Sequence, residues 1–209
     1  MDTFELKREQ LKLAKKIELR DGFEKVKLIA GADCYPQDNK IVASVVVCEF
    51  PSMKVIEKKV YTLYDPLPYL PGFLAYQEMP AIIEAFNMLE NEPDLVLVSG
   101  SGIAHIRKIG MAAHLGLILN KPTIGITQKL AVGKIEKNRI IFENEIVGFE
   151  IRSREHANPI YISPGNLITL GSALKIATDS LFYPHKMPEP LHLARKFAKK
   201  EGKEKDKIK

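Results

Sequence analysis

The 209-residue chain has only two cysteines, Cys34 and Cys48, and both lie in apolar, strand-like stretches. Two thiols cannot build a disulfide framework of the kind that staples small secreted domains, and free buried thiols in a reducing compartment are the expectation. No Cys/His spacing suggests zinc. No apolar run approaches the roughly 20 residues that a helix needs to cross a bilayer. Met1 to Arg20 is charged throughout, which argues against reading it as a signal peptide. Internal repeats are absent, as are a P-loop and a dinucleotide fingerprint, so no nucleotide cofactor is expected. These absences predict a cytoplasmic protein without a membrane partner; a monomer is the expectation, though none of them bears on it.

What the chain does contain is ordinary for a globular α/β domain. Apolar residues make up 45% and charged residues 27%, enough for a core that holds without staples. A formal charge of +5 and a pI near 9.0 favour an anionic partner, of which nucleic acid is the commonest. Lys199, Lys200, Lys203, Lys205, Lys207 and Lys209 crowd the C-terminus, half offset by Glu201, Glu204 and Asp206. One domain over residues 1–200 is predicted, followed by a basic, disordered tail at 201–209. That tail is either a solvated, frayed end or an added source of non-specific phosphate contact.

Periodicity predicts a helix over 3–20, then a three-stranded antiparallel meander from the apolar runs 27–33, 41–50 and 55–63. Turn signals at Pro36-Gln37-Asp38-Asn39 and Pro51-Ser52 separate those runs. A helix over 73–90 carries Pro80, a candidate restart or kink. A wholly apolar strand at 94–98 reads as the middle of a sheet. A helix near 108–119, a strand at 123–127, a hairpin over 133–152, a strand at 159–163 and helices at 167–181 and 189–200 complete the order. The hairpin has two candidate turns, Lys137-Asn138 and Glu143-Asn144. Strands first, then alternation, predicts a mixed central sheet with helices on both faces.

Three places carry chemistry. Asp33 closes the first apolar run, where an isolated buried carboxylate is costly; it is either a turn cap or a ligand for a hard cation. Next comes Pro68-Tyr69-Leu70-Pro71-Gly72, a loop stiffened by two prolines, with Leu74 and Glu78 following. Tyr69 there suits a wedge into a base stack, or simply the packing of a rigid turn. Glu78 is either a site carboxylate or a solvated helix residue. The third is the run from Ser99 through Gly100, Ser101 and Gly102 to His105, Arg107, Lys108 and Gly110. Glycine backbone permits close approach, and His105, Arg107 and Lys108 offer donors or positive charge to phosphate.

Together these strings resemble the endonuclease V family. Ile29-Ala30-Gly31-Ala32-Asp33, Pro68-Tyr69-Leu70-Pro71-Gly72 with Glu78, Gly100 to Gly110, Pro122-Thr123-Ile124-Gly125, Pro159 to Gly165 and Pro188-Glu189-Pro190 match in order and spacing, over roughly residues 5 to 200. The resemblance implies a ribonuclease H-like fold and recognition of deaminated purine, chiefly inosine, in DNA or RNA. It also implies Mg²⁺- or Mn²⁺-dependent hydrolysis one nucleotide 3′ of the lesion. On that basis Tyr69 is the wedge that fills the gap left by a flipped base, and Gly72, Leu74, Gly100, Gly102 and Gly110 line the base pocket. Asp33 and Glu78 correspond to two metal-binding carboxylates.

The match breaks at four positions. A third family carboxylate is Ser99 here, and a catalytic Lys is Gln128, with Lys129 beside it. A His after Ser-Pro-Gly is Asn166, and an acid soon afterwards is Thr169. Serine removes a formal negative charge from a cation site, and loss of the lysine removes a cation near the scissile phosphate. The preferred reading is an inosine-recognising protein with a degenerate metal site and weak or absent cleavage. The runner-up is an active Mg²⁺/Mn²⁺ endonuclease V with a rearranged site, in which Asp38, Asp65 or Lys129 compensates. A third reading keeps the fold only as an interaction module.

Overall fold

The computed structural model describes residues 2–204. The meander is present as expected, as β1 (Leu28–Gln37), β2 (Lys40–Glu49) and β3 (Val55–Tyr64). Its first turn is tighter than the sequence predicts. Pro36 and Gln37 are still paired with Ile41 and Lys40, so only Asp38 and Asn39 turn the chain, with Asp38 at φ 45°. Asp33 is therefore a mid-strand residue paired with Ser44, and it does not end the strand.

β4 (Leu95–Ser99) pairs parallel with β1, and β5 (Thr123–Thr127) pairs parallel with β4. The predicted hairpin over 133–152 is instead three strands, β6 (Lys134–Glu136), β7 (Arg139–Phe142) and β8 (Glu145–Ile151). Both candidate turns are used, because Lys137, Asn138, Glu143 and Asn144 all take positive φ, as two-residue hairpin turns require. β9 (Ile160–Pro164) joins this extension antiparallel to β5, giving one sheet in the order β3-β2-β1-β4-β5-β9-β8-β7-β6.

Alternation along the central strands divides the core in two. Ala30, Ala32, Val96 and Val98 face α2 (Leu74–Asn87) and α3 (Met111–Leu119). Ile29, Leu95, Leu97, Ile124 and Ile126 face α4 (Leu170–Asp179) and α5 (Glu189–Glu204). Helices cover both faces of a mixed sheet, and the fold is ribonuclease H-like. α2 runs unbroken through Pro80.

Two helix ends differ from expectation. α1 (Thr3–Ala14) stops well before residue 20. Beyond it the Glu18 N–H donates to Asn166 Oδ1 and the Glu18 carbonyl accepts from Leu167 N, so tertiary bonds replace helical ones. α5 continues to Glu204, past the expected start of the tail, because Gly202 is buried against Tyr35. The rest of the expected tail, 205–209, lies outside the described residues. No helix among the described residues is long and apolar enough to cross a membrane.

Candidate nucleic-acid interface

Open parallel sheets bind ligands beyond the carboxyl ends of their strands. Here β4 ends in Ser99 and β5 in Thr127, and a cleft of about 620 Å³ opens over both. Asp33, Glu78, Ser99, Gln128, Tyr69 and Arg195 all line it. The fold thus brings together the first acid, the acid on α2, and the two substituted positions 99 and 128.

Asp33 is 8% exposed and is surrounded by donors from the protein. Its Oδ1 accepts from the Cys34 N–H at 2.8 Å, the Ser99 hydroxyl is a neighbour that favours the charged carboxylate, and Arg195 Nη1 stands 3.6 Å from Oδ1. Burial outweighs these donors and pushes the Asp33 carboxyl up to about 6. Glu78 is pushed up to about 7, first by burial and then by the neighbouring Asp33 charge. Two acids this close hold a proton between them near neutrality unless a cation intervenes. Among the described residues no group of three or more His, Cys, Asp or Glu is placed to hold a metal ion.

Arg195 escaped the sequence reading. It belongs to a helix whose many lysines read as a solvated face, and nothing local distinguishes it from them. Its guanidinium also donates to the Cys34 carbonyl and lies 5.4 Å from the centre of the Tyr35 ring.

A second cavity, of about 100 Å³, adjoins the cleft and shares Leu74 and Ser101 with it. Gly72, Leu74, Gly110, Ser101 and His105 line this cavity. Gly100 lines the larger cleft instead. Gly102 is packed so closely that a Cβ there would sit 2.0 Å from the Pro164 carbonyl oxygen. Of the five residues expected at a base pocket, three therefore share one small cavity.

The three residues expected to meet phosphate have distinct surroundings. His105 borders the small cavity, and burial pulls its pKa down to about 4, so its ring is neutral at pH 7. Its Nδ1 accepts from the Arg107 N–H at 3.3 Å. Arg107 ties down the end of the Pro68–Gly72 loop. Its Nη2 donates to the Gly72 carbonyl at 2.6 Å, its Nε donates to Gln10 Oε1 at 2.5 Å, and its guanidinium stacks 4.5 Å over Phe73. Gln10, 1% exposed, donates to the same carbonyl at 3.1 Å. Arg107→Met should strand the buried Gln10 Oε1, remove one of the two donors to the Gly72 carbonyl, and cost about 2 kcal/mol. Urea melting would show the loss, and faster amide exchange at Gly72 and Phe73 would place it in this loop. Lys108 pairs with Glu145 at 2.5 Å and Glu143 at 3.4 Å.

The loop itself is presented outward. Pro68 and Pro71 are exposed, Leu70 is half-buried, and Tyr69 is 61% exposed at the rim of the large cleft. Gly72 takes φ 79°, a left-handed turn that returns the chain to α2.

Two substituted positions prove to be elsewhere. β9 runs antiparallel to β5, so Asn166, just beyond Pro164, lies at the start of β5 and away from the cleft. It is 4% exposed and ties Glu18, Gly116 and Thr123 together. Thr169 caps α4 by accepting from the Ser172 N–H. Both are structural joints, which corrects their reading as catalytic positions. Asp38 sits in the β1–β2 turn, and Asp65 is held there by Asn39. Of the three suggested compensating residues, Lys129 alone lines the cleft.

The family profile for endonuclease V matches residues 11–196. The chain belongs to the endonuclease V family. It is 37% identical to endonuclease V from Rippkaea orientalis over 208 residues, covering 95% of this chain and 90% of that one. Endonuclease V from Dictyoglomus thermophilum is 35% identical over 199 residues, covering 91% and 87%. Among solved structures, endonuclease V from Bacillus subtilis superposes with a TM-score of 0.89 at 30% identity, covering 100% and 96%. Ciona intestinalis endonuclease V, in complex with a 24mer DNA containing an inosine followed by a ribo-adenosine, gives a TM-score of 0.86 at 27% identity, covering 96% and 97%. Within this endonuclease V frame, Asp33, Glu78 and the Pro-Tyr-Leu-Pro loop surround one cleft, while Ser99, Gln128 and Arg195 complete its wall.

Proposed function

We propose that this endonuclease V family member recognises inosine in DNA or RNA and cleaves the strand weakly or not at all. The observation that carries the reading is Asp33, a site carboxylate already satisfied by the protein. A backbone N–H donates to it, the Ser99 hydroxyl stands beside it, and a guanidinium faces it. A divalent ion needs lone pairs that are free and negative charge that is not yet balanced. With Ser99 in the wall, the donor set is two carboxylates, one of them engaged. Those residues do not fit a tightly held Mg²⁺ or Mn²⁺, and hydrolysis that depends on such an ion is weakened with it.

The recognition half keeps its parts. Tyr69 is exposed on a rigid loop, and the small cavity beside it offers glycine backbone, Ser101 and a neutral His105 to a base edge. A neutral imidazole can both donate and accept, which suits reading a base better than holding a phosphate. Tyr69→Ala should weaken binding to an inosine-containing strand about tenfold, since stacking is worth about 1–3 kcal/mol per base. An unmodified strand should lose far less. Equal loss on both would rule out a wedge.

The deciding assay is an inosine-containing strand and its unmodified twin with Mg²⁺, Mn²⁺ or EDTA, scored for shift and for nick. A selective shift with little or no nick is expected. A rapid metal-dependent nick 3′ of the inosine, abolished by Asp33→Ala, would instead establish an active enzyme with a rearranged site, with Lys129 as a cation on the cleft wall.

A further inference from the structure

Arg195 stands against the Asp33 carboxylate on the wall of the large cleft. Its Nη1 is 3.6 Å from Asp33 Oδ1, its fork donates to the Cys34 carbonyl, and its plane lies over Tyr35. Three contacts on separate groups fix the guanidinium, and its helix is fixed as well. Leu191, Ala194 and Ala198 are buried on the side of α5 that packs against the sheet, and Gly31 lets the backbone of Pro190 approach β1. Yet the Arg195 side chain is half exposed and borders both the large cleft and a neighbouring one of about 400 Å³. A guanidinium carries five N–H donors, so contacts to Asp33 and Cys34 leave others for a ligand. Beyond it His192, Lys196 and Lys199 line the second cleft, at helical spacings that put them on one side of α5.

We infer that the Arg195 guanidinium is the resident cation of this cleft, bridging Asp33 and a nucleic-acid phosphate in the place of a divalent ion, so that the protein holds a strand without metal. The inference rests on the reading above that the cleft takes nucleic-acid backbone. A guanidinium neutralises the carboxylate and grips phosphate through two parallel N–H bonds. It offers no coordinated water to attack phosphorus, which separates holding a strand from cutting it. It also repels a second cation from Asp33. The basic side of α5 continues the phosphate path away from the two acids.

Two measurements on the full chain test this. The first is Mn²⁺ binding without nucleic acid, followed by electron paramagnetic resonance. Wild type should bind no Mn²⁺ at submillimolar concentration, whereas Arg195→Gln combined with Ser99→Asp should bind it. Submillimolar binding by wild type that Arg195→Gln leaves unchanged would overturn the inference. The second is strand affinity in EDTA against salt, with both unmodified and inosine-containing single strands. Wild type should bind equally in EDTA and Mg²⁺. Arg195→Gln should lose about tenfold on both strands and flatten the salt slope by about 0.7, the value for one lost phosphate contact on a single strand. A merely structural ion pair would lower thermal stability and leave that slope intact, which would also overturn the inference. Absence of inosine preference would defeat the proposed function alone, because the unmodified strand still reports on Arg195. If neither strand binds, the proposed function fails, strand holding by Arg195 fails with it, and the Mn²⁺ arm still decides whether Arg195 excludes metal.

Discussion

Gly31→Ala is expected to destabilise the protein by about 2–4 kcal/mol and to detach Arg195 from Asp33 in the same step. A Cβ at residue 31 would sit 2.2 Å from the Pro190 carbonyl carbon, 2.3 Å from its oxygen and 2.6 Å from the Leu191 nitrogen. All three atoms are backbone, so no rotamer change relieves the clash and α5 must move as a body. Gly31 has no positive φ, so its role is close approach and not an unusual conformation. Asp33 lies two residues on, pointing to the same face, and Arg195 lies one and a half turns along the helix from Pro190. A shift of less than an ångström at that contact lengthens the 3.6 Å approach between them. Urea melts should show a lower midpoint with an unchanged slope, because the unfolded surface is the same. Stability within about 0.5 kcal/mol of wild type would mean that α5 is not seated on Gly31.

That contact also marks how far the sequence could be read. Ile29-Ala30-Gly31-Ala32-Asp33 is visible as an apolar strand with small residues, and the resemblance gives it a role, but neither shows that a helix lies across Gly31. The meander, the apolar strand 95–99 and the helices of the second half follow from local period, since each buries its side chains by a regular rule. What stayed illegible depends on distant partners. α1 ends early because Asn166 and Leu167, about 150 residues away, take the backbone bonds of Glu18. Asn166 matched a catalytic position by spacing, but strand direction carries it to the wrong end of β5. The Asp33, Glu78 and Tyr69 positions were legible and do share one cleft. Arg195 was not, because a charged residue in a lysine-rich helix looks solvated until β1 is placed beside it.

The acid pair makes stability depend on pH in the sense opposite to most carboxylates. Burial lifts Asp33 from 3.8 to about 6 and Glu78 from 4.5 to about 7. In the folded state both carboxyls therefore hold protons that the unfolded chain releases between about pH 4 and 7. Stability is greatest below that window and falls as pH rises through the folded values, because each proton lost leaves a buried charge. Glu78→Gln removes one such charge and preserves shape. At pH 8 it should be more stable than wild type by about 1–3 kcal/mol, raising Tm by several degrees for a chain of this size. Near pH 4.5 the two proteins should melt together. A variant less stable than wild type at pH 8 would mean that the Glu78 carboxylate is compensated there, most simply by a cation that Arg195 does not supply. Adding Mg²⁺ separates these cases: an ion bound only by the folded chain raises the wild-type Tm at pH 8 with its concentration. If Arg195 is the resident cation, Mg²⁺ leaves that Tm unchanged and only Glu78→Gln raises it.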